Sequence, residues 1–282
     1  MPELPEVETV RRGLERQTQG LVIERVEVLR NRAIAHPPDP GLFCLALQDC
    51  LVHAWQRRGK YLLASLRDRN GDDAGHWGVH LRMTGQFLWI KNPIAPCRHT
   101  RVRVFSAEGP ELRFVDTRSF GQMWWIPPGT AVETVMTALA RLGPEPFAPE
   151  FQGTWLRQRL RDSRRPIKTA LLDQSLVAGV GNIYADEALF AAGIAPQTVS
   201  GQLRARQLQQ LRDALVEVLR TSIGAGGTTF SDFRDLSGLN GNYGGQAWVY
   251  RRTGEPCRRC GTAIRRDRLG GRSSHWCPCC QR

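Results

Sequence analysis

The first residues of the chain could carry nucleophilic chemistry. Removal of Met1 would leave Pro2 as the amino terminus, and a terminal amine of pKa about 8 keeps roughly a tenth of its molecules unprotonated at neutral pH. Such an amine can attack an aldehydic carbon, and the carboxylates of Glu3 and Glu6 follow within four residues. If Pro5 lies in the first turn of a helix, where proline is tolerated, both carboxylates lie near the amine.

A purely structural interpretation accounts for the same stretch. Proline and glutamate are usual occupants of a first helical turn, and Val7, Val10 and Leu14 recur at the spacing of one buried helical face. On these residues alone a capped surface helix is the simpler interpretation. The catalytic one needs support from elsewhere in the chain.

Four cysteines near the other end have the spacing of a metal site. Cys257 and Cys260 enclose two residues, sixteen residues follow, and Cys277 and Cys280 repeat the pair. Two such pairs are typical of a structural four-thiolate zinc site, although the adjacent Cys279 leaves the identity of the fourth ligand open. Four arginines occupy the hairpin between the pairs, and they are Arg265, Arg266, Arg268 and Arg272.

The composition favours a polyanionic partner. The 282 residues include 39 Lys and Arg against 27 Asp and Glu, a formal net charge of +12. A basic chain without a long apolar run or an amphipathic basic helix favours nucleic acid over a membrane. Only Lys60, Lys91 and Lys168 are lysines. Because arginine contacts phosphate at least as well, a lysine kept in this background indicates a need for a compact or deprotonatable amine.

The pattern of hydrophobic residues predicts a multidomain α+β protein. After the N-terminal helix, short runs over 21–29, 61–66, 77–81, 101–105, 111–115 and 121–126 predict the strands of a two-layer antiparallel β-sandwich. A proline-rich segment at 142–149 precedes helical periodicity up to about residue 223. We expect domains over 1–145, 146–245 and 246–282. Residues 31–50 show no clear pattern, and 224–245 form a Gly-rich stretch of the kind that is usually functional.

Both ends of the chain together resemble the formamidopyrimidine-DNA glycosylase family. The resemblance runs the whole length, and its motifs are Met1-Pro2-Glu3-Leu4-Pro5-Glu6, Arg57-Arg58-Gly59-Lys60-Tyr61-Leu62, His80-Leu81-Arg82-Met83-Thr84-Gly85, Asp116-Thr117-Arg118-Ser119-Phe120-Gly121, Leu142-Gly143-Pro144-Glu145-Pro146 and Val180-Gly181-Asn182-Ile183-Tyr184-Ala185. Thr117 and Ser119 stand where several relatives have proline and arginine, which leaves Arg118 and Phe120 in place.

The resemblance implies a β-sandwich, a helix-two-turn-helix domain and a C-terminal zinc-finger hairpin. The implied partner is double-stranded DNA that contains oxidised bases or abasic sites, and the implied protein is a monomer of the bacterial cytoplasm that associates with the nucleoid. One structural zinc ion would be held by Cys257, Cys260, Cys277 and Cys280.

The resemblance also assigns chemistry to five residues. Pro2 would attack C1′ of the damaged nucleoside and form a Schiff base, with Glu3 as the acid that assists sugar opening. Glu6 would support this site. Lys60 resembles the proton donor of β-elimination, and Arg272 that of δ-elimination.

A base inside a duplex must be extruded before an enzyme can act on it. Met83, Arg118 and Phe120 resemble the triad that fills the resulting gap, although Met83 and Phe120 alone would be taken for core residues. Other residues resemble contacts to the lesion or to the phosphates around it, and they are His99, Arg118, Arg164, Lys168, Asn182 and Arg272. The loop 226–245 resembles a flap that closes over an everted 8-oxoguanine.

Two classes of function remain open on the sequence. One is a bifunctional glycosylase and abasic-site lyase for oxidised purines, and the other is a non-catalytic binder of damaged DNA. A processed Pro2 with Glu3 and Lys60 makes the enzyme, whereas a retained Met1 leaves the binder. The opening motif favours the first over the sister endonuclease VIII group, which prefers oxidised pyrimidines.

Overall fold

The computed structural model describes residues 1–92, 94–107, 109–228 and 242–282, which group into two units. The β-rich unit comprises Met1–Ala140 and, of the later chain, the described residues 226–228. The helical unit comprises Arg141–Ala225 and Asn242–Arg282. The segments predicted as a helical domain and as a zinc finger therefore share one compact unit.

The β-rich unit contains a two-layer sandwich and three helices. Its helices are α1 Leu4–Thr18, α2 Pro40–Leu47 and α3 Val132–Val135, and its strands are β1 Ile23–Val28, β2 Ile34–His36, β3 Leu51–Arg58, β4 Tyr61–Arg67, β5 Asp73–His80, β6 Gly85–Ile90, β7 Thr100–Ser106, β8 Glu111–Asp116 and β9 Gln122–Ile126. One sheet has the order β1-β7-β8-β6 and the other the order β2-β9-β5-β4-β3.

The sandwich prediction is confirmed, with one difference in strand direction. The ladders between named strands are antiparallel except that of β2 with β9, which is parallel. Strand β2 lies in the segment 31–50, which showed no clear pattern in the sequence. Trp77 of one sheet packs edge-on against Phe87 of the other at 6.0 Å between ring centroids. In β7 the residues alternate between buried and half-buried, as the pattern 101–105 predicts.

Helix α1 forms as its sequence predicts. Glu3 is the N-cap and Pro5 lies in the first turn, where its missing N–H costs no helical hydrogen bond. Val7, Val10 and Leu14 are at most 1% exposed and join the sandwich core. The start of the chain is thereby fixed to the sheets.

Five named elements of the β-rich unit escaped the sequence prediction. Strands β3 and β6 and helix α3 lie between or after the predicted runs, and strand β2 and helix α2 lie in the stretch 31–50. The start of α2 nonetheless carries a signal, because the Asp39 side chain accepts a hydrogen bond from the Gly41 amide at 2.8 Å and Pro40 opens the helix.

The helical unit ends in a two-stranded hairpin. Its elements are α4 Gly153–Leu160, α5 Ile167–Leu171, α6 Asn182–Ala192, α7 Ala205–Gly224, β10 Arg265–Leu269 and β11 Arg272–Trp276. Gly179, with a φ of +86°, lies in the turn before α6, and Gly181 is the N-cap of that helix. Tyr243–Gln246 form a short 3-10 helix where no element was expected. Within the described ranges, no helix is long and apolar enough to cross a membrane.

Candidate functional site

Glu6 organises the start of α1. Its carboxylate is 2% exposed and accepts hydrogen bonds from the backbone N–H of Glu3 and of Thr228, both at 2.8 Å. Gly227 packs against it with a φ of +81°, and a Cβ there would lie 3.1 Å from the Glu6 carboxylate. Glu6 therefore links the N-terminal stretch to residues 227–228, at the start of the predicted flap 226–245, of which residues 229–241 lie outside the described chain.

The register of α1 on β3 brings Lys60 to the same end as Glu3. The Trp55 amide donates to Glu15 at 2.8 Å, and the Arg57 guanidinium donates to Glu8 at 3.1 Å. Glu8 is nearer than Glu15 to the start of the helix, and its partner Arg57 is nearer than Trp55 to the β3–β4 turn that carries Lys60. The start of α1 and this turn therefore lie at the same end. Glu3 and Lys60 are 3% and 6% exposed.

The charges around this end are strongly coupled. Burial raises the pKa of Glu8, but hydrogen bonds from Arg11 and Arg12 and the charge of Arg57 outweigh it, so the net pKa is lowered. Burial, together with the positive charges of Arg82 and Lys60, lowers the pKa of His80 to about 3. His80 is therefore neutral, and its Nδ1 accepts the Arg82 amide at 2.9 Å.

The three residues of the predicted insertion triad lie on two adjacent turns at one edge of the β-rich unit. Asp116 holds these turns together, because its carboxylate accepts the Thr84 hydroxyl and the amides of Arg118 and Gly121, the last two at 3.1 and 2.7 Å. Phe120 is 39% exposed, and the Arg118 guanidinium lies 4.8 Å from its ring centroid.

Met83 is half-buried and outside the core cluster. The core interpretation of Met83 and Phe120 is therefore wrong in the described structure. An exposed apolar side chain beside an arginine, on a rigid turn, has the chemistry of a wedge for a base stack.

The predicted DNA contacts differ in exposure. Arg164 and Arg272 are exposed, and Arg272 opens β11 directly after the turn Gly270–Gly271. His99 is half-buried, with its ring nitrogens 2.9 and 3.4 Å from the guanidinium groups of Arg98 and Arg101.

Asn182 is half-buried and donates to the Ser273 hydroxyl at 3.3 Å. Lys168 is fully buried and forms an ion pair with Asp186 at 2.6 Å. In the described structure its ammonium is thus bound inside the helical unit, which the sequence did not indicate.

The four predicted zinc ligands converge. One sulfur from each of Cys257, Cys260, Cys277 and Cys280 lies within 4.8 Å of the others. The sulfurs of Cys257 and Cys280 are 3.9 Å apart, and those of Cys260 and Cys277 are 3.5 Å apart. Tetrahedral Zn–S bonds of about 2.3 Å place sulfurs about 3.8 Å apart, so the cluster fits one structural zinc ion. The cluster does not include Cys279, which settles the fourth ligand.

Three family models match successive parts of the chain. They are the formamidopyrimidine-DNA glycosylase N-terminal domain over residues 1–123, the formamidopyrimidine-DNA glycosylase H2TH domain over 142–234, and the zinc finger found in FPG and IleRS over 254–282. Formamidopyrimidine-DNA glycosylase of Parasynechococcus marenigrum is 65% identical over 281 residues, covering 100% of both chains. The chain belongs to the formamidopyrimidine-DNA glycosylase family.

Solved structures of this family share the fold. A Lactococcus lactis FPG mutant in complex with DNA containing Fapy-dG has a TM-score of 0.90 and 34% identity, with 100% of both chains covered. The same organism's Fpg in complex with DNA containing an abasic site has a TM-score of 0.89 and 34% identity, with 99% of each chain covered. Formamidopyrimidine-DNA glycosylases are DNA glycosylases and abasic-site lyases of base excision repair, and the protein is such an enzyme.

Sequence reasoning assigned no role to three residues that organise these sites. His80 and Asp116 lie within motifs that the chain shares with the family, and those motifs were the signal by which the two residues could have been found. Asp186 lies in α6 next to Glu187, and an adjacent pair of carboxylates in an otherwise apolar helix was the available signal.

Proposed function

We propose that the protein excises oxidised purines, chiefly 8-oxoguanine paired with cytosine and formamidopyrimidines, and then cleaves the strand at the resulting abasic site. The observation that carries this proposal is the register of α1 on β3. It supports a common site for Glu3, Glu6 and Lys60 at the end of the unit that holds Pro2. A buried carboxylic acid and a buried lysine beside a potential amine are the groups that imine chemistry requires.

The proposed reaction starts once Met1 has been removed. The Pro2 nitrogen attacks C1′, the glycosidic bond breaks, and the base leaves with the bonding electrons and gains a proton. The sugar ring opens with a proton from Glu3, which leaves an iminium between Pro2 and C1′. Loss of a C2′ proton then expels the 3′ phosphate in β-elimination, with Lys60 as the proton donor. Loss of the C4′ proton expels the 5′ phosphate in a second elimination, with Arg272 as the proton donor, and hydrolysis of the remaining imine frees Pro2.

DNA recognition in this proposal is shared by both units. Met83, Arg118 and Phe120 fill the gap left by the extruded nucleotide, and the exposed turn held by Asp116 supports this role. The zinc hairpin presents Arg272, and Asn182 and Arg164 contact phosphates. Zinc, when bound, holds the hairpin and takes no part in the reaction. We infer that a single copy works on chromosomal DNA, in the cytoplasm of a bacterium and at its nucleoid.

Two other functions are distinguishable by experiment. A non-catalytic binder would keep the wedge and the zinc hairpin, but its Pro2 nitrogen would be an amide without an available lone pair. An oxidised-pyrimidine glycosylase merits a test because one Lactococcus lactis structure is a complex between wild-type FPG and DNA that contains an oxidised pyrimidine.

Borohydride trapping tests the proposal. The protein is incubated with an 8-oxoguanine duplex or an oxidised-pyrimidine duplex and borohydride, and the trapped peptide is sequenced by mass spectrometry. We expect an adduct on Pro2, formed faster with 8-oxoguanine. Pro2→Gly should still give a trappable adduct at a reduced rate, and Glu3→Gln should bind the lesion but excise little base.

An adduct on Lys60, or full activity from a chain shown to retain Met1, would refute the mechanism. A strong preference for the pyrimidine duplex would refute the substrate assignment alone.

A further inference from the structure

Asp186 lies at the centre of a buried polar cluster in the helical unit. Its carboxylate is 1% exposed and contacts the Lys168 ammonium at 2.6 Å, the Ser274 hydroxyl at 3.2 Å and the His275 amide at 2.9 Å. The His275 Nδ1 lies 3.2 Å from the same carboxylate. Lys168 also donates to the Ser273 carbonyl. Four of these polar contacts join α5 and α6 to three consecutive residues of β11, and the fifth, between Lys168 and Asp186, joins the two helices to each other.

These contacts extend along β11 as far as Ser273, and Arg272 lies between Ser273 and the turn Gly270–Gly271. Arg272 directly precedes Ser273, is exposed, and follows two glycines with φ of +54° and +78°. Gly270 itself packs near Thr169 of α5, where a Cβ would lie 3.3 Å from the threonine hydroxyl. Because two glycines constrain the backbone weakly, the direction in which Arg272 leaves the strand depends on its pairing with Leu269 of β10 and on residues 273–275.

The neighbouring carboxylate has a different task. Glu187 accepts the amides of Trp248, Val249 and Tyr250 at 2.8, 3.0 and 2.9 Å, so it holds the segment that leads into the zinc-binding region. Two adjacent residues of α6 thus anchor two separate segments. Asp186 alone, of the two, contacts the strand that begins with Arg272.

We propose that Asp186 is a positioning residue for δ-elimination, acting by holding Ser273–His275 and thereby the guanidinium of Arg272. The inference rests on the role proposed for Arg272 in that step. The buried charge pair suits this task because a carboxylate hydrogen-bonded to several donors has one favourable orientation. A displacement of about 1 Å in a reacting group can slow a step about a hundred-fold, so loss of this anchor should slow δ-elimination selectively.

The test compares the full-length zinc-loaded protein with four of its variants on an abasic-site duplex. The variants are Asp186→Asn, Ser274→Ala, Glu187→Gln and Arg272→Ala. The ratio of δ-product to β-product is read as the 3′-phosphate against the 3′-unsaturated aldehyde on a gel, together with zinc content and DNA affinity.

Asp186→Asn should lower the ratio about ten-fold while keeping one zinc ion per chain. Ser274→Ala, which removes one contact, should lower it less, and this milder variant stands in if Asp186→Asn does not fold. Glu187→Gln should lower both products together and leave the ratio as it is.

The outcomes separate this inference from the proposed function. If Arg272→Ala lowers the ratio but Asp186→Asn and Ser274→Ala leave it unchanged, Asp186 has only a structural role and the inference is overturned. An equal fall of zinc content, affinity and both products in Asp186→Asn and Ser274→Ala would overturn it too. An unchanged ratio in Arg272→Ala would remove Arg272 from the reaction and the inference with it, whereas trapping on Pro2 would be unaffected.

Discussion

In the β-rich unit, the candidate residues Lys60, Met83, Arg118 and Phe120 lie on turns between strands whose inner faces form a large apolar core, whereas the zinc hairpin has almost no core of its own. Trp77, Phe87 and Phe114 are each 1% exposed in the sandwich. In the hairpin, the residues of β10 are exposed up to Leu269. Its small cluster combines Phe190 of α6 with Val249, Ile264 and the ligand cysteines Cys257 and Cys277. Distributed packing therefore positions one group of candidate residues, and a few strong local contacts position the other.

The largest effect should come from loss of the metal. Cys260→Ser removes one of four thiolates, and a structural zinc site supplies about 10 kcal/mol or more of local folding free energy. We expect the hairpin to unfold and DNA binding to be lost while the sandwich keeps its near-ultraviolet circular dichroism. Cys279→Ser is the matched control and should retain zinc by metal analysis. Normal DNA binding by Cys260→Ser would show that the hairpin does not depend on metal.

The sandwich should be the more sensitive unit to a backbone clash. Gly75 in β5 has a φ of +86°, and a Cβ there would lie 2.0 Å from the Ile126 carbonyl oxygen. Gly75→Ala should destabilise the protein by about 3 kcal/mol or more, since strained backbone and overpacking add. Gly261→Ala in the zinc region meets no atom within 4 Å at a φ of +75°, so it should cost about 1 kcal/mol. Equal losses in urea unfolding would contradict the contrast.

A buried ion cluster should make the sandwich sensitive to acid. Burial raises the pKa of Glu111, but Arg113 and Arg103, hydrogen-bonded to its carboxylate at 2.7 and 2.9 Å, lower it to about 2. Because the folded pKa lies below the unfolded value of 4.5, the stabilisation is complete above pH 4.5 and is lost as the pH falls toward 2.

After a discount for solvent screening, the contribution of Glu111 is about 1 to 2 kcal/mol. Glu111→Gln should therefore lower the melting temperature at pH 7 and flatten the loss of stability between pH 4.5 and 2. Glu27→Gln, at the more exposed end of the same cluster, should lower the melting temperature at pH 7 by less. If Glu111→Gln loses stability between pH 4.5 and 2 as steeply as the unaltered protein, another group causes the acid sensitivity.

The smallest effect concerns lysine chemistry in the sandwich. Lys60→Arg keeps the charge but replaces a compact amine, so strand cleavage should slow by about ten-fold or more with little change in DNA affinity. Lys91 is exposed, and Lys91→Arg should change neither quantity in gel-shift and nicking assays. Equal slowing by the two variants would end the argument that rare lysines mark chemistry here.

Local rules in the sequence determined much of what was predicted. Proline and glutamate in a first turn, with a helical apolar period, suffice to predict α1. The spacing of two cysteine pairs suffices to predict a four-thiolate site, and the structure decides only that Cys280 and not Cys279 is the fourth ligand. Alternation over 101–105 likewise predicted β7. The family motifs then predicted the β-sandwich, the helix-two-turn-helix domain and the zinc-finger hairpin.

Other features depended on contacts between residues far apart in the chain. Lys168 binds Asp186 and the Ser273 carbonyl, and no local pattern reveals that an ammonium in a basic segment is buried. Met83 and Phe120 have side chains suited to a core, but they lie on two turns at an edge of the unit that Asp116 joins by hydrogen bonds. The parallel pairing of β2 with β9 was equally invisible, since strand partners are chosen by the packing of the whole sheet and not by either strand alone.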